Sequence, residues 1–96
     1  MEQDTGTIVV SLSGRFDAHE SERIKTQLHD ALDRGDHQIG VDLSDVNFID
    51  SSALAVLTST MKRARELGGD LRIVSPSAPV RVIFELTRLD RAFVIC

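Results

Sequence analysis

Val41-Asp42-Leu43-Ser44-Asp45-Val46-Asn47-Phe48-Ile49-Asp50-Ser51-Ser52-Ala53-Leu54 is the stretch from which the rest of the chain can be placed. Ile39, Val41 and Leu43 alternate with Gly40 and Asp42, the period-two pattern of a strand with one face turned to a core. Ser44 and Asp45 read as a polar turn, and Phe48 and Ile49 as a second short apolar segment that returns to the core. Asp50, Ser51 and Ser52 follow, all residue types favoured where a helix begins. From Ala53 the composition is helical as far as Gly68-Gly69. Two neighbouring serines therefore stand at the positive end of a helix, where backbone N–H groups lack intrahelical acceptors and an anionic group is favoured. A hydroxyl in that place is a natural address for a phosphate.

Outward from this stretch, strands and helices alternate. Residues 7–13 read as a strand with Ile8, Val10 and Leu12 on one face and Val9 on the other, broken by Gly14-Arg15, after which Phe16 plugs the core. Residues 17–34 read as a helix. Asp17 caps its start with Glu20 three residues on, an approximate capping box. Ile24, Leu28, Ala31 and Leu32 form its apolar stripe, and Gly35 falls where a left-handed C-terminal residue is wanted. The second helix, residues 51–67, carries Leu54, Leu57, Met61 and Ala64 as its core stripe, extended by Ala53 and Leu67. Its other side holds Ser52, Ala55, Val56, Ser59 and Arg63. Small residues on that side let another protein approach the backbone closely. The bland alternative is that Ala55 and Ser59 are tolerated helix formers. After Gly68-Gly69 come a strand (Leu71 and Ile73 on one face), a Ser-Pro turn, and a third helix over residues 80–86. Pro79 suits its first turn, and Val80, Ile83, Phe84 and Leu86 make its apolar side. A last strand spans residues 92–96. Alternation of this kind implies right-handed crossovers, parallel neighbouring strands and helices mainly on one face.

Composition sets bounds. Ninety-six residues make one domain with a single core. Eleven basic against fifteen acidic residues leave the chain mildly acidic, without the basic face of a nucleic-acid binder. No apolar run is long enough to cross a membrane, and no signal pattern opens the chain. The single cysteine, Cys96, forms no internal disulfide, in keeping with a reducing, cytoplasmic setting.

Motifs of catalysis are missing. Ser51 is not in a Gly-x-Ser-x-Gly elbow and has no histidine placed by sequence to activate it. His19, His29 and His37 have no metal-ligand spacing and read as surface residues. Neither a Walker loop nor a paired-glycine dinucleotide motif is present, so no cofactor, metal or enzymatic role is expected.

The run Val41-Asp42-Leu43-Ser44 through Phe48-Ile49-Asp50-Ser51-Ser52-Ala53-Leu54 resembles the signature of STAS domains of the anti-sigma factor antagonist type. The resemblance extends over nearly the whole chain, residues 1–96, which is short at both ends for the family; only this run is specific. It implies a small α/β domain with a mixed sheet of about four strands; the family commonly has a further strand before residue 7 that pairs with the next, for which the short polar run of residues 1–6 leaves little room. It implies a protein that binds an anti-sigma factor of the ATPase-like serine kinase type when unphosphorylated. Phosphorylation of the helix N-terminal serine then switches it off, a serine/threonine phosphatase reverses this, and transcription is regulated indirectly. Ser51 matches that serine, with Ser52 the alternative acceptor, its side chain expected to engage the first turn of the helix. Asp50, Ser51, Ser52, Ala55, Val56 and Ser59 form the expected partner surface, and Asp42 and Asp45 are expected to add negative charge near it. Ala53 stands where the family usually has glycine, and its methyl adds bulk beside Ser51. The alternative is a constitutive STAS subunit of a lipid-transport or signalling complex, with no phosphate switch.

Overall fold

A computed structural model describes residues 7–96; residues 1–6, where the family commonly has a strand and this chain has little room for one, lie outside the described residues. The elements run β1 (Thr7–Phe16), α1 (Ala18–Asp33), β2 (Gln38–Ile49), α2 (Ser51–Glu66), β3 (Asp70–Val74), α3 (Ala78–Leu86), a 3₁₀ turn (Leu89–Arg91) and β4 (Val94–Ile95). The strands form one sheet in the order β1-β2-β3-β4. All three pairings are parallel, so the sheet is parallel among the described residues rather than mixed.

One face of the sheet is the core face. Val10, Ile39, Val41, Leu43, Leu71 and Ile73 are buried on it. They meet Ile24, Leu28 and Leu32 of α1, Ala53, Leu57 and Met61 of α2, and Val80 and Phe84 of α3. The opposite face holds Val9, 61% exposed, with Ser11, Arg72 and Val94 also exposed. The helices thus pack on one side, as the alternation of apolar positions requires.

β2 departs from simple alternation. It is one continuous strand, so the expected turn at Ser44-Asp45 is not a turn. The register against β1 slips twice: Ser11 pairs with Asp42 but Ser13 with Asp45, and Gly14 pairs with Val46 but Arg15 with Phe48. Each slip adds one residue to β2, the signature of a β-bulge. Inward residues then recur every third position, Leu43, Val46 and Ile49. Phe48, expected in the core, points outward and is 38% exposed.

Both long helices close in the same way. In α2 the Gly68 N–H donates to Arg65 O and the Gly69 N–H to Ala64 O, the paired bonds of a Schellman motif. Gly68 takes φ +89° there. Gly69 is needed for a different reason: a Cβ on it would collide with the His37 carbonyl, which accepts the Asp70 N–H at the start of β3. The same pattern ends α1, where Gly35 N–H reaches Leu32 O and Asp36 N–H reaches Ala31 O.

The third helix starts at Ala78, two residues earlier than expected, and Leu86 lies on its exposed side. Ser77 does not cap it; its hydroxyl donates instead to Val46 O, tying the α3 entry to β2. The last strand shortens to Val94–Ile95 because the Ala92 and Phe93 N–H groups donate back to Leu89 O instead of joining the sheet.

Candidate functional site

The site forms where β1 and β2 end and α1 and α2 begin. Phe16 pairs with Ile49, and the Asp50 N–H donates to Phe16 O at 3.3 Å, so the two chain exits are fixed side by side. Asp50 is the N-cap of α2, with extended backbone. Its Oδ1 accepts the Ala53 N–H at 3.0 Å. Its Oδ2 accepts the N–H of Ala18, the first residue of α1, also at 3.0 Å. One carboxylate therefore takes a free N–H from each of two helix starts, and two helix dipoles are turned toward it. Asp17 caps α1 separately, accepting the His19 N–H at 3.1 Å; Glu20 does not reach back, and pairs with Arg23 at 2.7 Å.

Ser51 follows as the first residue of α2 and is exposed. Among the described residues its hydroxyl has no hydrogen-bond partner, because Asp50 has taken the capping role. Ser52 is half-buried. Its side chain makes no hydrogen bond to the first turn among the described residues, contrary to expectation. Ala53 is fully buried, so its methyl packs into the core and adds no bulk on the Ser51 side.

Beyond Ser52 the small face of α2 lies open as one wall of a groove of about 480 Å³ facing α1, lined on the α2 side by Ser52, Ala55, Val56 and Ser59. Ala55 and Ser59 are exposed, while Val56, expected on the exposed side, is buried at 7% exposure. The core stripe needs a matching correction: Leu54 is half-buried and Leu67 exposed, whereas Val56 and Thr60 are buried. The real stripe is rotated by a fraction of a turn toward α1.

Asp42 does not join the site, and neither Asp42 nor Asp45 lines the groove. Asp42 lies seven residues before the end of β2, on the order of 20 Å along the strand. Its Oδ1 accepts the Ser44 N–H at 2.9 Å and the Ser44 hydroxyl at 2.7 Å. Those two donors hold its carboxyl below the ordinary value of 3.8, the backbone N–H contributing most.

Two residues that the sequence reading assigned to the core and to a strand break, Phe48 and Arg15, border the site instead. The Arg15 guanidinium sits over the Phe48 ring, 4.0 Å from its centroid, and its Nε lies 3.4 Å from Asp17 Oδ2. The signal for them was the three-residue spacing of Leu43, Val46 and Ile49, which turns Phe48 outward. The described residues contain no group of three or more His, Cys, Asp or Glu placed to hold a metal. No helix among them is long and apolar enough to cross a membrane.

The profile of the STAS domain matches residues 1–96. The chain belongs to the STAS domain family. This STAS domain is 30% identical over 90 residues to the anti-sigma F factor antagonist of Paenibacillus polymyxa, an alignment spanning 93% of this chain and 77% of that protein. Its fold matches the anti-sigma factor antagonist SpoIIAA in its unphosphorylated form with a TM-score of 0.83 at 26% identity, over 99% of this chain and 84% of that one. The phosphorylated form of the Bacillus cell fate determinant SpoIIAA has the same fold, with a TM-score of 0.76 at 22% identity over 100% and 87% of the two chains. In the STAS domain described here, Asp50, Ser51 and Ser52 stand together at the start of α2, and Ala55, Val56 and Ser59 continue from them along the groove.

Proposed function

We propose that this STAS domain is a cytoplasmic anti-sigma factor antagonist. When unphosphorylated, it binds an anti-sigma factor of the ATPase-like serine kinase type over the start of α2. Phosphorylation of Ser51 by that partner releases it, a serine/threonine phosphatase restores it, and the effect on transcription is indirect. The names of its relatives support the antagonist role, and the existence of SpoIIAA in a phosphorylated form supports a phosphate switch.

The observation that carries the reading is the division of labour between Asp50 and Ser51. Asp50 takes one N–H from each of the two helix starts, leaving the exposed Ser51 hydroxyl free to accept a phosphoryl group without unwinding α2. A phosphate adds roughly 1.5 to 2 negative charges at neutral pH. The helix N-terminus favours that charge by about 0.3–1 kcal/mol, so the fold survives it. A docked acidic partner feels it as repulsion.

The test is to incubate the protein with ATP and an anti-sigma factor of the serine kinase type from the same genome, then locate phosphate by mass spectrometry. Phosphate on Ser51, lost in Ser51→Ala, is expected. Phosphate on Ser52 alone, or on neither serine with a kinase active on other substrates, would favour the constitutive module instead.

A further inference from the structure

The outer side of α3 is apolar along its whole length. Val80 and Phe84 are fully buried beneath the helix, while Ala78, Val82 and Leu86 recur at four-residue steps, are all exposed, and so form one ridge. Val82 is 50% exposed and Leu86 75%, the highest value among the large apolar residues described. The ridge is about 12 Å long. No α3 residue lines the groove between α1 and α2, so this face is separate from the one that carries Ser51.

One flank of the ridge carries Arg81 and Glu85, both exposed. They stand one turn apart with the base N-terminal to the acid, the weaker order for a pair within a helix, and they make no ion pair with each other. The ridge is therefore small at one end and large at the other, and its flank is positive toward one end and negative toward the other. Such a surface complements itself when turned end for end. About a two-fold axis that sets two copies of α3 antiparallel, Leu86 of each copy lies over Ala78 of the other and Val82 meets Val82. The same flank of both copies comes together, so Arg81 of each faces Glu85 of the other, twice. Ridges of four-residue spacing interdigitate in the commonest class of helix packing. A parallel pairing would instead set Leu86 against Leu86 and Ala78 against Ala78, with the charged flanks on opposite sides.

We infer that the outer face of α3 seats a second copy of this chain, joined antiparallel through Ala78, Val82 and Leu86 and fixed in direction by two Arg81–Glu85 pairs. A ridge of this length covers less than a standard protein–protein interface, so the dimer is a transient one that forms and parts with concentration. The inference is independent of the function proposed above. Its consequence for that function is that two Ser51 sites are carried by one particle, since pairing through α3 uses no groove residue.

Sedimentation equilibrium of the whole chain, from micromolar to millimolar concentration, tests this with Leu86→Glu, Arg81→Glu, Glu85→Arg and the double reversal. The wild type is expected to show a reversible monomer–dimer equilibrium. Leu86→Glu should raise the dissociation constant by about tenfold or more, because the change enters the interface twice. Each single charge reversal should raise it by about fivefold, and the double reversal should return it to within about twofold of wild type, because only a flank-to-flank pair survives exchange of both signs. Melting followed by circular dichroism should be the same for all variants, since every changed side chain is exposed. A wild type that stays monomeric throughout would overturn the inference. So would a dimer that Leu86→Glu leaves within twofold, or a double reversal no better than the single ones.

Discussion

Removing the Asp50 carboxylate takes the acceptor from two helix starts at once. Asp50→Ala should cost about 1–2 kcal/mol, toward the upper end for a single N-cap. Asp50→Asn should cost less, because the amide oxygen can still cap Ala53 while the amide nitrogen cannot accept from Ala18. Urea unfolding of the two variants checks this ordering; equal stability of both with wild type would contradict the bridging role. Asp42 offers a second residue-scale test. Its depressed pKa means that its stabilising contribution is present above the unfolded value and is lost as pH falls through the lower folded value. Ser44→Ala removes one of its two donors from Ser44. The Asp42 titration followed by NMR should move upward toward 3.8, and the stability difference between wild type and Ser44→Ala should narrow as acid protonates Asp42 in both. An unshifted titration would mean that the hydroxyl bond contributes nothing.

At the scale of the element, α2 carries the account. Leu57 is fully buried, while Leu54 is only half-buried. Leu57→Ala should therefore cost about 2–5 kcal/mol and Leu54→Ala clearly less, a large share of the total stability of a domain of this size. Denaturant midpoints decide it, and the reverse order would mean that the helix is rotated the other way. The sequence located this helix to within one residue at its end, because Asp50 and Gly68 are chemically distinct start and stop signals. It did not locate the face to better than a fraction of a turn. A stripe of Ala, Leu, Val and Thr has no sharp polar edge, and α1 rather than the sheet alone decides which side is covered. β2 was misread for a related reason. Alternation identified its first half, but bulges leave no mark on single residues, and only the later three-residue spacing of Val46 and Ile49 betrays them. Phe48, apolar and next to Ile49, was consequently assigned to the core instead of to the surface beside Arg15.

For the molecule as a whole, the sequence indicated strand and helix order, one-sided packing and parallel neighbours, because these follow from alternation and crossover geometry. The position of Ser51 at a helix start was legible for the same reason. The groove was legible only by half: the small residues on α2 stand out in the sequence, while the α1 residues that face them, Ala18 and Ser21 among them, are identified only when the two helices are brought together. If that composite surface binds the anti-sigma factor, Ala55→Arg and Ser59→Glu should each abolish binding without lowering the melting temperature, since both side chains are exposed. The central claim is that a phosphate on Ser51 releases the partner while the fold persists. A partner carboxylate about 7 Å from the phosphate, in an effective dielectric of about 40 to 80, is repelled by on the order of 1–2.5 kcal/mol. That corresponds to roughly 5- to 70-fold in affinity. The direct measurement is the affinity of the anti-sigma factor for the unmodified protein and for protein phosphorylated stoichiometrically on Ser51, with circular dichroism on both. The account predicts weakening within or beyond that range, with Ser51→Ala binding like wild type, Ser51→Asp falling between, and unchanged helical signal throughout; equal affinity of the two forms would contradict it.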